Sequence, residues 1–204
     1  MESGLLTLLA GHWGHFQMES GYHSEQWFDL DTLLADRDRL QPFVRELARK
    51  LVAHPVDAVV GPKTGGAKLA DMIAAELRLE SFHADRFEPP AAAGLFSVKY
   101  LVPAAQRDRL RGRSVAIVDD AISAGSAVKG TYTDLLACGA KPVAVGALLI
   151  FGEAADQFAT DQNLQLESVA RMSFGIWKPA ECPLCRANHA LEKVSDAAPS
   201  RERR

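Results

Sequence analysis

Helical and strand-like spacings of apolar residues alternate along this chain. Apolar residues at intervals of three and four predict three helices, because such residues share one helix face. The apolar faces contain Leu40, Phe43, Val44, Leu47, Ala48 and Leu51 in the first, Leu69, Ala70, Ile73, Ala74 and Leu77 in the second, and Val128, Tyr132, Leu135 and Leu136 in the third. Gly139 follows the third helix and can end it in the left-handed conformation.

Short apolar runs between these helices predict buried strands. The runs are 57–61, 81–86, 114–118, 142–151 and 166–173. Residues 87–98 contain Pro89, Pro90, three alanines and a glycine, which predicts a loop. Alternating strands and helices indicate an α/β fold with an open parallel β-sheet flanked by helices. Ligands of such sheets bind beyond the carboxyl ends of the strands, here after Val60 and Val118.

The composition restricts the possible partners. Apolar residues make up 48% of 204 residues, enough for a hydrophobic core, and the formal net charge is −3. This charge gives no basic face for nucleic acid, whereas a small anionic ligand needs only a local positive pocket. The three cysteines are too few for a disulfide framework, and no apolar run has membrane-spanning length. Because the first residues do not resemble a signal peptide either, we expect a cytoplasmic protein.

Two carboxylates and a run of small residues follow the clearest predicted strand. Asp119 and Asp120 come directly after Val118. The small residues are Ser123, Ala124, Gly125, Ser126 and Ala127. Free N–H groups at the following helix N-terminus favour phosphate, and the carboxylates can accept hydrogen bonds from sugar hydroxyls or help hold Mg²⁺. The combination predicts a ribose 5-phosphate site; the alternative is an ordinary strand–turn–helix corner with capping residues.

The segment 115–127, Val-Ala-Ile-Val-Asp-Asp-Ala-Ile-Ser-Ala-Gly-Ser-Ala, resembles the PRPP motif of type I phosphoribosyltransferases. These glycosyltransferases exchange the pyrophosphate of 5-phosphoribosyl-1-pyrophosphate (PRPP) for a nitrogenous base. The resemblance implies that Asp119 and Asp120 are catalytic and hold the ribose hydroxyls, and that residues 123–127 bind the 5-phosphate. It also implies Mg²⁺ as the cofactor, held mainly by PRPP, with Asp119 or Asp120 as available protein ligands.

Further segments resemble the orotate phosphoribosyltransferases, which make orotidine 5'-phosphate in pyrimidine biosynthesis. Residues 14–29 are similar to their N-terminal hood, 59–66 to their pyrophosphate loop, and 181–185 to the tail of some members. The resemblance implies that Ser20, Gly21 and Phe28 contact the base. It implies that the pyrophosphate is bound by Lys63, Thr64, Gly65 and Gly66. It also implies catalytic roles for Arg86 and Lys99 when the loop 87–98 closes. Phe16 and Trp27 either stack on the base, like Phe28, or fill the hood core.

The resemblance also implies the domain organisation and the partners. We expect one domain over 1–194, with its core at about 36–165 and its hood mainly at 14–35 and 166–194. Residues 195–204 are expected to form a disordered tail. PRPP and a nucleobase-like acceptor are the expected partners, without nucleic acid or membrane, and a homodimer is the expected assembly.

Several positions depart from the orotate pattern. Glu19 occupies a place where many orotate enzymes have lysine, and Lys63 lies two residues before its usual place. The loop 87–98 has no lysine or histidine, and 151–153 lacks the arginine that often binds the orotate carboxylate. A phosphoribosyltransferase for another base and an inactive PRPP-binding regulator therefore remain alternatives. A receiver-like signalling domain is disfavoured by the Ser/Gly phosphate loop.

The C-terminal cysteines suggest a possible metal site. Cys182, Cys185 and His189 offer three zinc ligands, but a structural site needs a fourth. The alternative is a C-terminal turn packed on the hood. His12, His15 and His23 lie near the hood with a spacing more typical of loop residues than of metal ligands.

Overall fold

The computed structural model describes residues 2–9, 11–88 and 98–194. Most of the predicted loop 87–98 and the expected tail 195–204 lie outside these residues. The helices are α1 (Glu2–Leu6), α2 (Leu30–Ala35), α3 (Arg37–Leu51), α4 (Gly65–Leu77), α5 (Ala104–Leu110), α6 (Ser126–Ala137), α7 (Ala154–Asp161) and α8 (Pro183–Arg186). The strands are β1 (Gly11–Gln17), β2 (His23–Phe28), β3 (Ala58–Pro62), β4 (Glu80–Phe87), β5 (Lys99–Leu101), β6 (Ser114–Ile122), β7 (Lys141–Phe151), β8 (Gln165–Met172), β9 (Ile176–Trp177) and β10 (Glu192–Lys193).

The larger sheet has the strand order β5-β4-β3-β6-β7-β8. Strands β4, β3, β6, β7 and β8 pair in parallel, which confirms the α/β class and the flanking helices. The edge strand β5 instead pairs antiparallel with β4, so the sheet is mixed. Because β5 has three residues, its sequence carries no recognisable strand period.

Two hydrophobic cores cover the two faces of this sheet. Side chains alternate between the faces, so Val59 and Val118 pack with α3 and α4, whereas Val60 and Ile117 pack with α6. Full burial of one leucine on such a face contributes about 1.5–3 kcal/mol. The fully buried leucines include Leu40, Leu47, Leu51, Leu69 and Leu135.

The sequence prediction of α6 was correct except at its apolar face. Gly139 follows the helix with φ +75°, as predicted. Leu136, assigned to the apolar face, is instead 50% exposed. The buried residues of the helix are Val128, Thr131, Asp134 and Leu135, and the predicted Tyr132 packs partly buried against the same core.

The smaller sheet, which we call the hood sheet, joins the two ends of the chain. Its order is β10-β1-β2-β9, with β1 and β2 as a hairpin and the C-terminal strands on either side. The predicted hood range 166–194 was too long, because β8 belongs to the larger sheet. Within the described ranges, no helix combines the length and apolarity needed to cross a membrane.

Candidate active site

The acidic pair lies inside a strand, not in a turn after it. Strand β6 continues past the predicted end at Val118, and its pairing with β7 extends to Ile122. The turn that follows is therefore 123–125. This places Asp119 and Asp120 at the carboxyl end of a central strand, where parallel sheets bind ligands.

Burial makes the two carboxyl groups difficult to ionise. Asp119 is 6% exposed. Burial is the main cause that raises the pKa of both groups, and the charge of Asp120 raises that of Asp119 further. Backbone N–H donors partly oppose this: the N–H of Asp120 donates to Asp119 Oδ1 at 3.1 Å, and that of Ala121 to Asp120 Oδ1 at 2.9 Å. A ligand that supplies hydroxyl donors or positive charge would stabilise the ionised pair.

The Gly-Gly pair at the start of α4 packs directly on the aspartates. A Cβ atom on Gly65 would lie 2.2 Å from Asp120 Oδ2, and one on Gly66 would lie 2.7 Å from Asp119 Oδ1. A Cβ on Gly61 would in turn lie 2.0 Å from the carbonyl oxygen of Gly66. Glycine is therefore required here so that the loop after β3 can reach the end of β6.

The turn before α6 presents a helix N-terminus without a side-chain cap. The N-cap residue is Gly125, with φ +77°. Because glycine has no side chain, it cannot cap the helix with a side-chain hydrogen bond. Lys129 Nζ donates to the carbonyl oxygen of Ala124 at 2.9 Å, which holds the turn against the helix. The first-turn N–H groups of α6 are thus not satisfied by a capping side chain, which argues against the simple capping alternative.

One cavity of about 370 Å³ joins these elements, and we call it the central cavity. Its lining contains most residues that the sequence assigned to the ligand. These are Ser20, Phe28, Lys63, Thr64, Gly65, Asp119, Asp120, Ser123, Ser126 and Ala127. Four further predicted residues are not part of the lining: Gly21, Gly66, Ala124 and Gly125. Gly21, with φ +83°, forms the hairpin turn between β1 and β2.

The three aromatic candidates differ in position. Phe28 lines the cavity, and its ring also stacks on Phe151 at 5.3 Å between centroids. Trp27 lines the cavity and stacks on His12. Phe16 is buried and is not part of the lining. Phe28 therefore belongs both to the core and to the cavity wall.

The predicted cations are not gathered in the cavity. Lys63 lines it and pairs with Asp85 at 2.7 Å. Arg86 is not a lining residue, but its Nε donates to Glu19, which lines the cavity, at 3.1 Å. Lys99 is exposed on the edge strand β5. The catalytic roles predicted for Arg86 and Lys99 would therefore require a movement.

Sequence reasoning missed Tyr100. Its ring is buried, its hydroxyl donates to Glu19, and both residues line the central cavity. Burial is the main cause that raises the pKa of Tyr100 far above its usual range, and Glu19 adds to it, so the phenol remains a neutral donor. No local pattern marks this tyrosine, because its partner lies 81 positions away.

Acidic groups dominate the cavity. Among the described residues, the lining contains the acids Glu19, Asp29, Asp31, Asp119 and Asp120 but a single basic residue, Lys63. Carboxylate oxygens are the ligands that Mg²⁺ prefers, so this donor set fits the expected cofactor.

A separate group of histidine and cysteine side chains, whose types can bind metal ions, lies in the hood. His15, His23, Cys182 and Cys185 place their ligand atoms within 4.8 Å of one another. Two of these histidines were predicted to be loop residues, but they lie on β1 and β2. The ring of His189, the predicted third ligand, is not part of the group; its backbone carbonyl oxygen contacts His15 instead.

Comparisons with known proteins show similarity to orotate phosphoribosyltransferases. The chain is 28% identical to the orotate phosphoribosyltransferase of Thermotoga maritima over 185 residues, covering 88% of this chain and 89% of the relative. It is 26% identical to that of Caldanaerobacter subterraneus subsp. tengcongensis over 180 residues, covering 88% and 87%.

Solved structures show the same fold. The adenine phosphoribosyltransferase of Thermoanaerobacter pseudethanolicus matches with a TM-score of 0.67 at 15% identity, covering 84% of this chain and all of that one. The orotate phosphoribosyltransferase of Aeropyrum pernix matches with a TM-score of 0.61 at 23% identity, covering 80% and 88%. The model of the phosphoribosyl transferase domain matches residues 35–174, which is most of the chain. The chain therefore belongs to the phosphoribosyltransferase family.

Proposed function

We propose that this protein transfers the 5-phosphoribosyl group of PRPP to a nitrogenous base with release of pyrophosphate, and that orotate is its base. One observation carries the proposal: the buried Asp119 and the partly buried Asp120 lie between the Gly65 loop and the N-terminus of α6, around a single cavity. The arrangement offers acceptors for sugar hydroxyls next to donors for phosphate.

The reaction breaks the bond between ribose C1 and pyrophosphate, so positive charge develops on the sugar. Asp119 and Asp120 would accept hydrogen bonds from the ribose hydroxyls and stabilise that charge. The N–H groups at the start of α6, with the hydroxyls of Ser123 and Ser126, would hold the 5-phosphate. Fixing both ends of the sugar orients C1 toward the base and lowers the entropic part of the barrier.

The leaving group needs positive charge. Lys63 and the backbone of Thr64 and Gly65 would hold the pyrophosphate at the amino end of α4, where the helix dipole also favours an anion. Mg²⁺, when bound with PRPP, would neutralise charge on the pyrophosphate. Arg86 and Lys99 would supply further positive charge to the pyrophosphate; the loop whose closure is expected to bring them there lies mostly outside the described residues.

The choice of orotate as the base rests on the relatives. They are orotate phosphoribosyltransferases, and the matches cover 88% of this chain. A second candidate is a phosphoribosyltransferase for a neutral or cationic base. The charge of the cavity favours this candidate, because five acids and one lysine line it and orotate is an anion. Glu19 in particular can accept a hydrogen bond from an amino group of a base.

A panel of bases with PRPP and Mg²⁺ tests the proposal through pyrophosphate release. Orotate should give the highest kcat/KM; the second candidate requires that adenine or another uncharged base exceeds it. PRPP binding measured by calorimetry without turnover of any base would identify a regulator and contradict the proposed enzyme activity.

We also propose a cytoplasmic homodimer. The apolar side chains of Phe87 and Leu101 are 48% and 41% exposed on the neighbouring strands β4 and β5. Exposed apolar groups of this kind suit a subunit contact. Light scattering with size-exclusion chromatography should give twice the chain mass; a fully active monomer would contradict the dimer.

A further inference from the structure

Four side chains from the two ends of the chain converge in the hood. His15 lies on β1, His23 on β2, and Cys182 and Cys185 at the start of α8. His15, His23 and Cys182 are at most 4% exposed. The cluster lies outside the central cavity, and the phosphoribosyl transfer uses none of its members.

The separations between the ligand atoms match a tetrahedral metal site. His15 Nε2 lies 3.0 Å from His23 Nδ1, 3.4 Å from Cys182 Sγ and 3.7 Å from Cys185 Sγ. Cys185 Sγ lies 3.2 Å from His23 Nδ1. Tetrahedral zinc with Zn–N and Zn–S bonds of ordinary length separates its ligand atoms by about 3.3–3.8 Å. These four separations are therefore close to those of such a tetrahedron, and all six lie within 4.8 Å.

The tautomer of His15 is set by a neighbouring carbonyl group. His15 Nδ1 lies 3.0 Å from the backbone oxygen of His189, which can only accept a hydrogen bond. Nδ1 therefore carries the ring proton, and the Nε2 lone pair points at His23, Cys182 and Cys185. A hydrogen bond from the far ring nitrogen to a backbone carbonyl is the usual support of a metal-binding histidine.

We propose that His15, His23, Cys182 and Cys185 bind one structural zinc ion. Two imidazoles and two thiolates form a complete ligand set for zinc and leave no open position for catalysis. Cys185, at the surface, gives the metal a route of entry.

The proposed ion fastens the C-terminal segment to the β1–β2 hairpin. The hood sheet otherwise holds this segment through two short strands, β9 and β10, of two residues each. The turn between β1 and β2 supplies Met18, Glu19 and Ser20 to the central cavity, and Val194 follows β10 into it. The zinc site would therefore fix the cavity wall contributed by the hood.

Metal analysis of the full-length protein, purified without a histidine tag or chelator, tests this proposal. Wild-type protein should contain about one zinc ion per chain. Cys185→Ser and His23→Ala should lose most of it. Cys138→Ser removes a thiol from a distant core, and His12→Ala removes a histidine from the same strand as His15, so both controls should retain zinc. Wild-type protein without zinc, or equal zinc in all variants, would overturn the proposal.

Cobalt substitution keeps the test independent of variant folding. Chelator-treated wild-type protein, reloaded with Co²⁺ under reducing conditions, should show the strong visible bands of tetrahedral cobalt and a thiolate-to-cobalt charge-transfer band. Chelation should lower the melting temperature of the wild type by several degrees and leave that of Cys185→Ser unchanged. A Cys182–Cys185 disulfide would be detected as a mass loss of two hydrogens. If protein with this disulfide takes up no cobalt after reduction, the metal site is contradicted. Because these measurements involve no PRPP, they remain valid if the proposed transferase activity fails.

Discussion

Gly65 lies so close to Asp120 that a Cβ atom on the glycine would be 2.2 Å from the aspartate Oδ2. The loop after β3 and the acidic pair therefore form one packed unit. A change in either element must displace the other, because a Cβ atom on the neighbouring Gly66 would also clash, at 2.7 Å from Asp119 Oδ1.

Gly65→Ala should reduce catalysis more than stability. The added methyl group forces the loop away from Asp120, and a displacement of about 1 Å in a catalytic group can cost about 10²-fold in rate. We expect kcat/KM for PRPP to fall by about that factor. Gly4→Ala is the matched control, since its Cβ would meet nothing nearer than 3.8 Å. Equal activity of the two variants would exclude close packing of loop and acid as a requirement.

Ser126→Asp should block PRPP binding without unfolding the protein. Ser126 lies in the first turn of α6 and lines the central cavity. A carboxylate at a helix N-terminus is favourable for the helix, by about 0.3–1 kcal/mol, but it would repel the 5-phosphate. We expect calorimetry to show PRPP affinity reduced at least about tenfold, with an unchanged or slightly higher melting temperature. Undiminished affinity would show that the phosphate binds elsewhere.

Asp119→Asn should stabilise the protein at neutral pH. Because burial raises the pKa of Asp119, the unfolded chain releases this proton at lower pH than the folded protein does. Stability of the wild type therefore falls as pH rises from about 4, the ordinary aspartate pKa, through the raised value. Asparagine does not ionise, so the variant avoids this loss.

The measurement is the melting temperature of Asp119→Asn against pH. At this chain length about 1 kcal/mol corresponds to about 2–4 °C, and we expect an increase of that order at pH 7 that disappears below about pH 4. Asp108→Asn, at an exposed position, should show no such trend. A variant less stable than wild type at pH 7 would indicate that Asp119 is stabilised as a carboxylate.

Glu19→Gln should shift base selectivity toward anions. Glu19 lines the cavity, and glutamine can still accept the hydrogen bond from Tyr100 while removing one negative charge. We expect the kcat/KM ratio of orotate to adenine to rise by about tenfold, from reduced repulsion across the cavity. Glu88→Gln also removes a partner of Arg86, but it lies outside the cavity lining and should leave the ratio unchanged. A ratio unaffected by Glu19→Gln would place the base away from this residue.

Periodicity predicted the core of the fold because the larger sheet is apolar on both faces. The strand β6 was underestimated because Asp119 and Asp120 are polar. Its extension depends on pairing with the long apolar strand β7, which reaches Ile122↔Ile150. The hairpin strand β1 was missed because a bulge between Trp13 and Phe16 disrupts the alternation of its side chains.

The two sites differ in how far sequence could predict them. The proposed PRPP site at 119–127 is contiguous in sequence, so its residues were predicted together; only their contact with Gly65 and Gly66 required the fold. The hood cluster joins residues up to 170 positions apart. Local spacing therefore suggested His189 as a third metal ligand. It could not predict that His15 and His23 lie next to Cys182 and Cys185.

Pyrophosphate release by the double variant Asp119→Asn/Asp120→Asn, with PRPP, Mg²⁺ and the base preferred by the wild type, tests the central claim most directly. If the acidic pair stabilises the charge that develops on the ribose, turnover should fall by at least about 10²–10³-fold while the protein remains folded. Wild-type turnover in the double variant would contradict the assignment of this corner as the catalytic site.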